Sequence, residues 1–340
     1  MRNLALRSFS TIFLLVLAAS ATIAQERERR WFNYRESEFS EDRGWSLGVA
    51  GGLADLWGDI GTQSPVDHYL NSNYWDKPTF LGGLYMRYSA IPALAFRLQA
   101  SYGTLYANDN WNQDKAEEAQ NVEVDAFQRY LRNQDVRSRI WEGLFIAEIS
   151  PLRFNPESAL ARRRFQPYVG VGVGAFNFKS QTTWLSRPNT GGGGYGQWVD
   201  IDELSLEAEG YGIDESGNVV GGSAASRERW QLAVPLTVGV RWDLGTEIAV
   251  GLEYCYRYIF TDYLDGVSNR YVNPELYDFI LPENKEGIAR DVNDKTWQIV
   301  PGARAVPGSF RGNPAVNDAY STIGINFFWK IKNRKNPWWF

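Results

Sequence analysis

Chemistry would have to be built here from very little, because the 340-residue chain holds one histidine, His68, and one cysteine, Cys255. A Cys–His dyad, a His/Cys metal cage or a disulfide framework each needs more of these residues than the chain owns. No partner that would make a hydrolase of His68 is visible around it. Asp291-x-Asn293 opens like a calcium loop but lacks the glycine and the closing glutamate. Gly170-x-Gly172-x-Gly174 lies inside an alternating run with no helix after it, so it is not a dinucleotide-binding turn. The Gly191–Gly194 run lacks the Lys-Ser/Thr of a phosphate loop and is a flexible loop stretch. Glu142 and Glu148 are candidates for a carboxylate pair, but in extended chain they stand about 20 Å apart, too far to act across one bond. The expectation is a protein without catalytic residues, cofactor or metal.

The elements behind these residues have period two. Leu94, Phe96, Leu98, Ala100 and Tyr102 alternate with Arg97, Gln99, Ser101 and Gly103. Phe80, Leu84, Met86 and Tyr88 precede them and alternate with Tyr85, Arg87 and Ser89; Ala90-Ile91-Pro92-Ala93 makes the two a hairpin. Leu232 to Trp242 and Ile248 to Tyr258 form a second hairpin around Asp243-Leu244-Gly245-Thr246, and Pro235 predicts a bulge or a missing ladder bond. Trp45–Leu53, Ile140–Ile149, Pro167–Phe178 and Ala319–Lys330 bring the count to eight. Pieces of this length suit membrane strands tilted by about 45°.

Composition agrees. The chain has 14 Trp, 18 Tyr and 18 Phe, is 22% charged, and carries a formal net charge of −5, which offers nucleic acid nothing. Residues 1–24 read as a cleaved signal peptide: Arg2 and Arg7, the apolar run Ile12–Ala19, then Thr22 and Ala24 before Gln25. A periplasmic segment is expected over 25–42, a barrel over 43–330 and a basic, aromatic tail over 331–340. The links after the second, fourth and sixth strands are short, about 5 to 17 residues, whereas the other four run to about 26 to 60. A soluble sandwich has no need of such asymmetry. The reading is an eight-stranded antiparallel transmembrane β-barrel in the outer membrane of a Gram-negative bacterium. Its turns would be short and periplasmic, its loops long and extracellular, with outer-membrane lipid around it.

Eight strands enclose a lumen that side chains can just fill. Arg87, Arg97, Glu142, Glu148, Arg241, Glu247, Glu253 and Arg257 fall on the inward phase, four of each sign, and predict an interior ion-pair network. Arg97 with Glu148, and Arg241 with Glu247, are the expected partners, and Leu98 and Leu236 should face outward.

One stretch is more specific. Gly251-Leu252-Glu253-Tyr254-Cys255-Tyr256-Arg257-Tyr258-Ile259 runs into Phe260-Thr261-Asp262-Tyr263-Leu264-Asp265-Gly266-Val267-Ser268. It resembles the signature of the PorG family, small outer-membrane barrels of the type IX secretion system of Bacteroidetes, with Gly266 in place of that pattern's second aspartate. Ala54–Ile60, Ser138–Glu142 and Pro167–Phe176 are similar to other family segments in the same order. The resemblance implies a non-enzymatic secretion component docked to a periplasmic ring of a PorK-like lipoprotein and a PorN-like protein. The turn with Arg153, Arg162, Arg163 and Arg164 and the tail with Lys332, Arg334 and Lys335 would then be the contact surfaces. An OmpA-type surface-binding or adhesin barrel, acting through its extracellular loops, is the alternative.

Overall fold

The computed structural model describes residues 43–331 apart from 63–67, 69–71, 120, 156–157, 162, 188–194, 224–227 and 245–246. The signal segment, the 25–42 stretch, the tail from 332 onward, Arg162 and the Gly191–Gly194 run therefore lie outside the described residues.

The strands are β1 (Gly44–Trp57), β2 (Thr79–Ile91), β3 (Leu94–Asn108), β4 (Asp135–Ile149), β5 (Phe165–Leu185), β6 (Tyr195–Asp200), β7 (Tyr211–Ile213), β8 (Val219–Gly222), β9 (Trp230–Asp243), β10 (Ile248–Ile259) and β11 (Ala319–Lys330). Eight of them run β4-β3-β2-β1-β11-β10-β9-β5, and β5 pairs back onto β4. Every pairing is antiparallel, so the sheet is a closed barrel with no open edge. Closure satisfies the backbone without water, which is what a hydrocarbon environment demands. Outside the barrel wall, β6 extends β5 above one rim and β7 with β8 forms a separate hairpin.

The alternation sorts the side chains as period two requires. Leu98 and Leu236 face outward, beside exposed Leu84, Phe145, Val171, Val238, Leu252 and Ile325. Exposed Trp45, Tyr88, Trp242 and Trp329 ring one edge of this apolar belt, and Tyr102, Trp141, Trp230 and Tyr258 ring the other. From Trp230 to Trp242, at about 3.3 Å per residue and a tilt of about 40°, the belt is about 30 Å tall, the thickness of a bilayer core. The short links 92–93, 150–164 and 244–247 share a rim with Gly44 and Lys330, and the long connections 58–78, 109–134, 186–229 and 260–318 occupy the other.

Several strands outrun their expected bounds. β1 continues to Trp57, β4 begins at Asp135 and β5 reaches Leu185. Beyond the apolar belt the long loops cover much of these projecting ends, while Arg139 on β4 stays exposed. Leu105, Val136 and Phe178 share one buried cluster with Leu204, Val272, Tyr277 and Val292 from those loops. The ladder at Pro235 behaves as proline dictates. On the β5 side the pairing stops after Val171↔Leu236 and resumes at Gly174↔Ala233, while the register to β10 is unbroken.

Two interior glycines make room for tyrosine rings. A Cβ on Gly48 would lie 2.1 Å from Cζ of Tyr85, and one on Gly239 would lie 2.6 Å from Cζ of Tyr168. The Tyr85 ring cannot swing away freely, because its hydroxyl donates to the Phe327 carbonyl (3.1 Å). Gly48→Ala should therefore destabilise the refolded barrel by about 1 to 3 kcal/mol, the usual cost of overpacking, read as a lower urea midpoint in detergent. An unchanged midpoint would show that the ring moves at no cost.

Candidate functional site

Two clusters of buried polar residues occupy the barrel, one near each end of the lumen. Toward the short-link rim, Glu148 on β4 receives Arg87 Nε at 2.6 Å, Arg241 Nη2 at 3.1 Å and Arg97 Nε at 3.2 Å. Arg97 also grips Glu253 on β10 with both terminal nitrogens, at 2.8 and 3.2 Å. The Tyr168 hydroxyl donates to the same Glu253 (2.7 Å), and Asn326 donates to the Tyr168 oxygen (3.3 Å). Higher in the lumen Arg257 makes a two-pronged pair with Glu142, at 2.9 and 3.1 Å, and Tyr320 donates to Glu142 at 2.8 Å. Each cluster stacks on aromatics. Arg97 lies over Tyr85, Arg241 over Phe328 and Tyr168, and Arg257 over Tyr320. Such charges tolerate burial because each is both paired and hydrogen-bonded.

The structure thus brings seven of the eight expected interior charges together and leaves one out. Glu247 is exposed, in the turn just before β10 begins at Ile248, so the expected Arg241–Glu247 pair does not form. Asp243, the last inward position of β9, takes the place at that rim. It is buried and accepts Arg153 Nη2 (2.9 Å) and Lys330 Nζ (3.0 Å). Arg153 is correspondingly not a surface residue. The first turn of the 150–164 link folds beneath the barrel and buries it, while Arg163 is exposed and Arg164 half-buried. The inward phase of β9 ran on to Asp243, and that was the signal available for it.

Between the clusters lies a cavity of about 20 Å³ among Gln99, Ser101, Glu253, Arg257, Thr322 and Asn326. That holds about one water and is not a conduit.

At the long-loop rim the signature residues build a second constellation. Phe260 is exposed on the outer face, Tyr263 is half-buried, and Thr261, Asp262, Leu264 and Asp265 are buried. Asp265 accepts the backbone N–H of Ile60 (3.0 Å) from the first loop and that of Val267 (2.8 Å). Asp318, just before β11, accepts the N–H of Leu264 (2.8 Å) and of Asp265 (3.3 Å), and its own N–H donates to the Thr261 carbonyl (3.0 Å). Asp59 accepts the Asn313 N–H (2.6 Å). The first and the last of the long connections are thereby stitched to one another. Nearby Glu207 accepts Arg311 (2.8 Å) and the Ser268 and Asn269 N–H groups. Gly266 sits at φ +77, and a Cβ there would come within 2.6 Å of Ile201, which explains a glycine where the resembled pattern has an aspartate.

Burial dominates the acid–base behaviour of this rim. It pushes Asp262 up to about 8, helped by the charges of Asp265, Asp59 and Glu207 and opposed by a hydrogen bond from Ser268. It pushes Asp265 up to about 7, with Asp59 adding to the rise, and lifts Asp318 well above the ordinary carboxylate range beside Asp265 and Asp262. Among the described residues no cluster of three or more His, Cys, Asp or Glu side chains is arranged to hold a metal ion.

His68 is a structural residue. Its Nδ1 lies 2.8 Å from Asp55 Oδ1, and its Nε2 accepts the Thr62 N–H (3.1 Å), which places the ring proton on Nδ1. Tyr74 and Trp111 pack against the ring. With Nε2 occupied by the backbone, the ring is not poised to take a proton from a nucleophile.

A closed antiparallel barrel with an apolar belt of bilayer height, two aromatic rings and all long loops at one rim has one compatible location. The chain is an outer-membrane β-barrel protein. The rim of short links is the periplasmic one, and the loop cap is extracellular.

Comparison with known proteins adds the following. A family model described as a domain of unknown function, DUF6089, matches residues 210–284, the stretch from β7 through β9 and β10 to the signature loop and the start of the next helix. Among curated proteins nothing matches. The chain is similar in structure to the attachment invasion locus protein Ail of Yersinia pestis, with 7% identity and a TM-score of 0.34 over 84% of this chain and 98% of that one. Neisserial surface protein A gives 8%, 0.34, 85% and 97%, and OprG of Pseudomonas aeruginosa gives 10%, 0.29, 85% and 98%.

Proposed function

We propose that the barrel is a non-enzymatic outer-membrane component of a protein-secretion machine of the type IX class, docked through its periplasmic rim to a ring built from a lipoprotein and a PorN-like partner. The observation that carries this reading beyond the Phe260–Asp265 signature is the periplasmic link 150–164. It leaves Phe154 63% and Leu160 44% exposed beside Arg163, below the membrane belt, while Arg153 anchors its base to Asp243. An anchored loop that offers a phenylalanine and a leucine to water is suited to a protein partner. The filled lumen argues in the same direction, since a barrel without a conduit must act through its rims.

The second reading, a surface-binding barrel, is favoured by the ordered extracellular cap, on which Phe279 is 84% exposed and Val306 and Phe310 are also exposed. Purification of the tagged protein in mild detergent separates the two. Periplasmic lipoproteins should co-purify and should be lost from a Phe154→Ser/Leu160→Ser variant that still shows heat-modifiable migration. Co-purification that is indifferent to those substitutions, or absent altogether, would overturn the docking reading.

A further inference from the structure

The outer wall of β4 carries two arginines just above the extracellular aromatic ring that form no ion pair among the described residues. Trp141 faces the lipid from β4, and its ring lies 4.4 Å from that of Tyr102 on β3. One outward step higher is Arg139, and one more is Arg137, about 7 Å apart along the strand. Arg139 is exposed and makes no hydrogen bond or ion pair among the described residues. It stands directly opposite Lys179 on β5, a like-charge register that costs stability unless an anion lies between or beside the two. Lys179 is answered by Asp200. Arg137 is held flat over the Trp198 ring (4.3 Å) and donates from Nη2 to Gln181 (2.7 Å), while its Nε is buried without a partner. Among the described residues no carboxylate forms an ion pair with either arginine, and only Asp135, engaged by Lys295, bears on Arg137 at longer range. On the other side Thr104 of β3 stands opposite Arg139 and brings a hydroxyl to the same level.

Aromatic rings mark the headgroup level of a bilayer, so guanidinium groups one and two outward steps above them, neither in an ion pair among the described residues, lie where lipid phosphates lie. Arginine binds phosphate through two parallel N–H bonds, and a guanidinium already stacked on an indole loses little freedom in doing so. We propose that Arg137 and Arg139, flanked by Thr104 and Lys179, form a binding site for a phosphate of an outer-leaflet glycolipid of the lipid A class. The partner is the membrane's own outer leaflet, and the site is independent of the periplasmic rim.

The test uses the full mature chain refolded in neutral detergent and titrated with diphosphoryl lipid A. Retained lipid is counted by native mass spectrometry. The wild-type barrel should retain the lipid at least about five-fold better than an Arg137→Gln/Arg139→Gln variant, in keeping with two charge-assisted contacts. The variant must keep heat-modifiable migration; Arg139→Lys serves as a second variant that keeps charge and fold and should bind with intermediate strength. Dephosphorylated lipid A should show no difference between wild type and variant. Equal retention of diphosphoryl lipid A by both proteins, or a deficit in the variant that is just as large with the dephosphorylated lipid, would overturn the proposal. Competition by millimolar inorganic phosphate that removes the difference would overturn the assignment to a lipid.

Discussion

Glu148→Ala should lower the unfolding free energy of the barrel by about 3 to 5 kcal/mol, because it leaves buried guanidinium groups without a counter-charge. Glu148 answers Arg87, Arg97 and Arg241 together, and all four side chains are buried. A second substitution, Arg97→Ala, should not rescue the first. Arg87 and Arg241 would remain without their carboxylate, and Glu253 would lose its two-pronged partner. The one-to-one pair Glu142–Arg257 provides the contrast. Removing both of its members should recover much of what Glu142→Ala alone costs, less the hydrogen bond from Tyr320. Urea unfolding in detergent as two double-mutant cycles reads both cases. Strong rescue by Arg97→Ala would show that Arg97 and Glu148 form a private pair and that the network description is wrong.

The extracellular cap should loosen as the medium becomes alkaline, while the strands stay intact. Asp262, Asp265 and Asp318 all have folded-state values above the ordinary carboxylate value. Folding of the cap therefore takes up protons. Its contribution to stability is complete below about pH 4 and falls as the pH rises, and the share carried by Asp265 and Asp262 is exhausted once the pH has passed their values of about 7 and 8. The groups facing the cluster set this balance. Asp59 and Glu207 raise it, and Arg132, hydrogen-bonded to the Asp59 carbonyl, lowers the values of Asp59 and Asp265. Hydrogen exchange of 261–268 should quicken between about pH 5 and pH 9 beyond the intrinsic rate change, with β3 and β10 unaffected. Asp318→Asn should flatten this response. Its oxygen can still accept the Leu264 and Asp265 N–H groups, and its amide can face Asp265 Oδ2 across Gly58 as a protonated acid would. An equally steep response in Asp318→Asn would remove Asp318 from the account.

How far the sequence carried depended on where period two held. Along β2, β3, β9 and β10 the alternation continues unbroken through the membrane, so face and register followed from it, and Arg87, Arg97, Arg241, Glu253 and Arg257 could be placed inside. It failed at the ends. Glu247 continues the phase of β10 by count, yet the strand starts one residue later and the turn releases it from that phase. Arg153 lies in a link with no period at all, and nothing local announces that the chain doubles under the barrel to meet Asp243. The Arg97–Glu148 pair, expected from equal depth on neighbouring strands, does form, but the other partners were hidden for a similar reason. Arg97 and Glu253 meet across the lumen, and Glu148 meets Arg241 over the intervening β5, not along a ladder; no spacing in the sequence encodes such distances inside a closed cylinder. The cap was the least legible part, since its core joins residues as far apart as Leu105, Leu206 and Val292, each supplying one side of the packing.

The filling of the lumen has a mechanical consequence. A hollow cylinder of eight tilted strands can shear, each strand sliding past the next, and such a tube twists easily. Here guanidinium bridges from β2, β3 and β9 converge on β4 along one side of the bore, and bridges from β3 to β10 and from β10 to β4 cross it like spokes of a wheel. Spokes resist shear, and close-packed interiors are barely compressible. The compass bearing of the extracellular cap is thereby locked to that of the periplasmic link at Phe154. Such cross-bracing passes strain from one rim to the other and leaves strand sliding little room to absorb it.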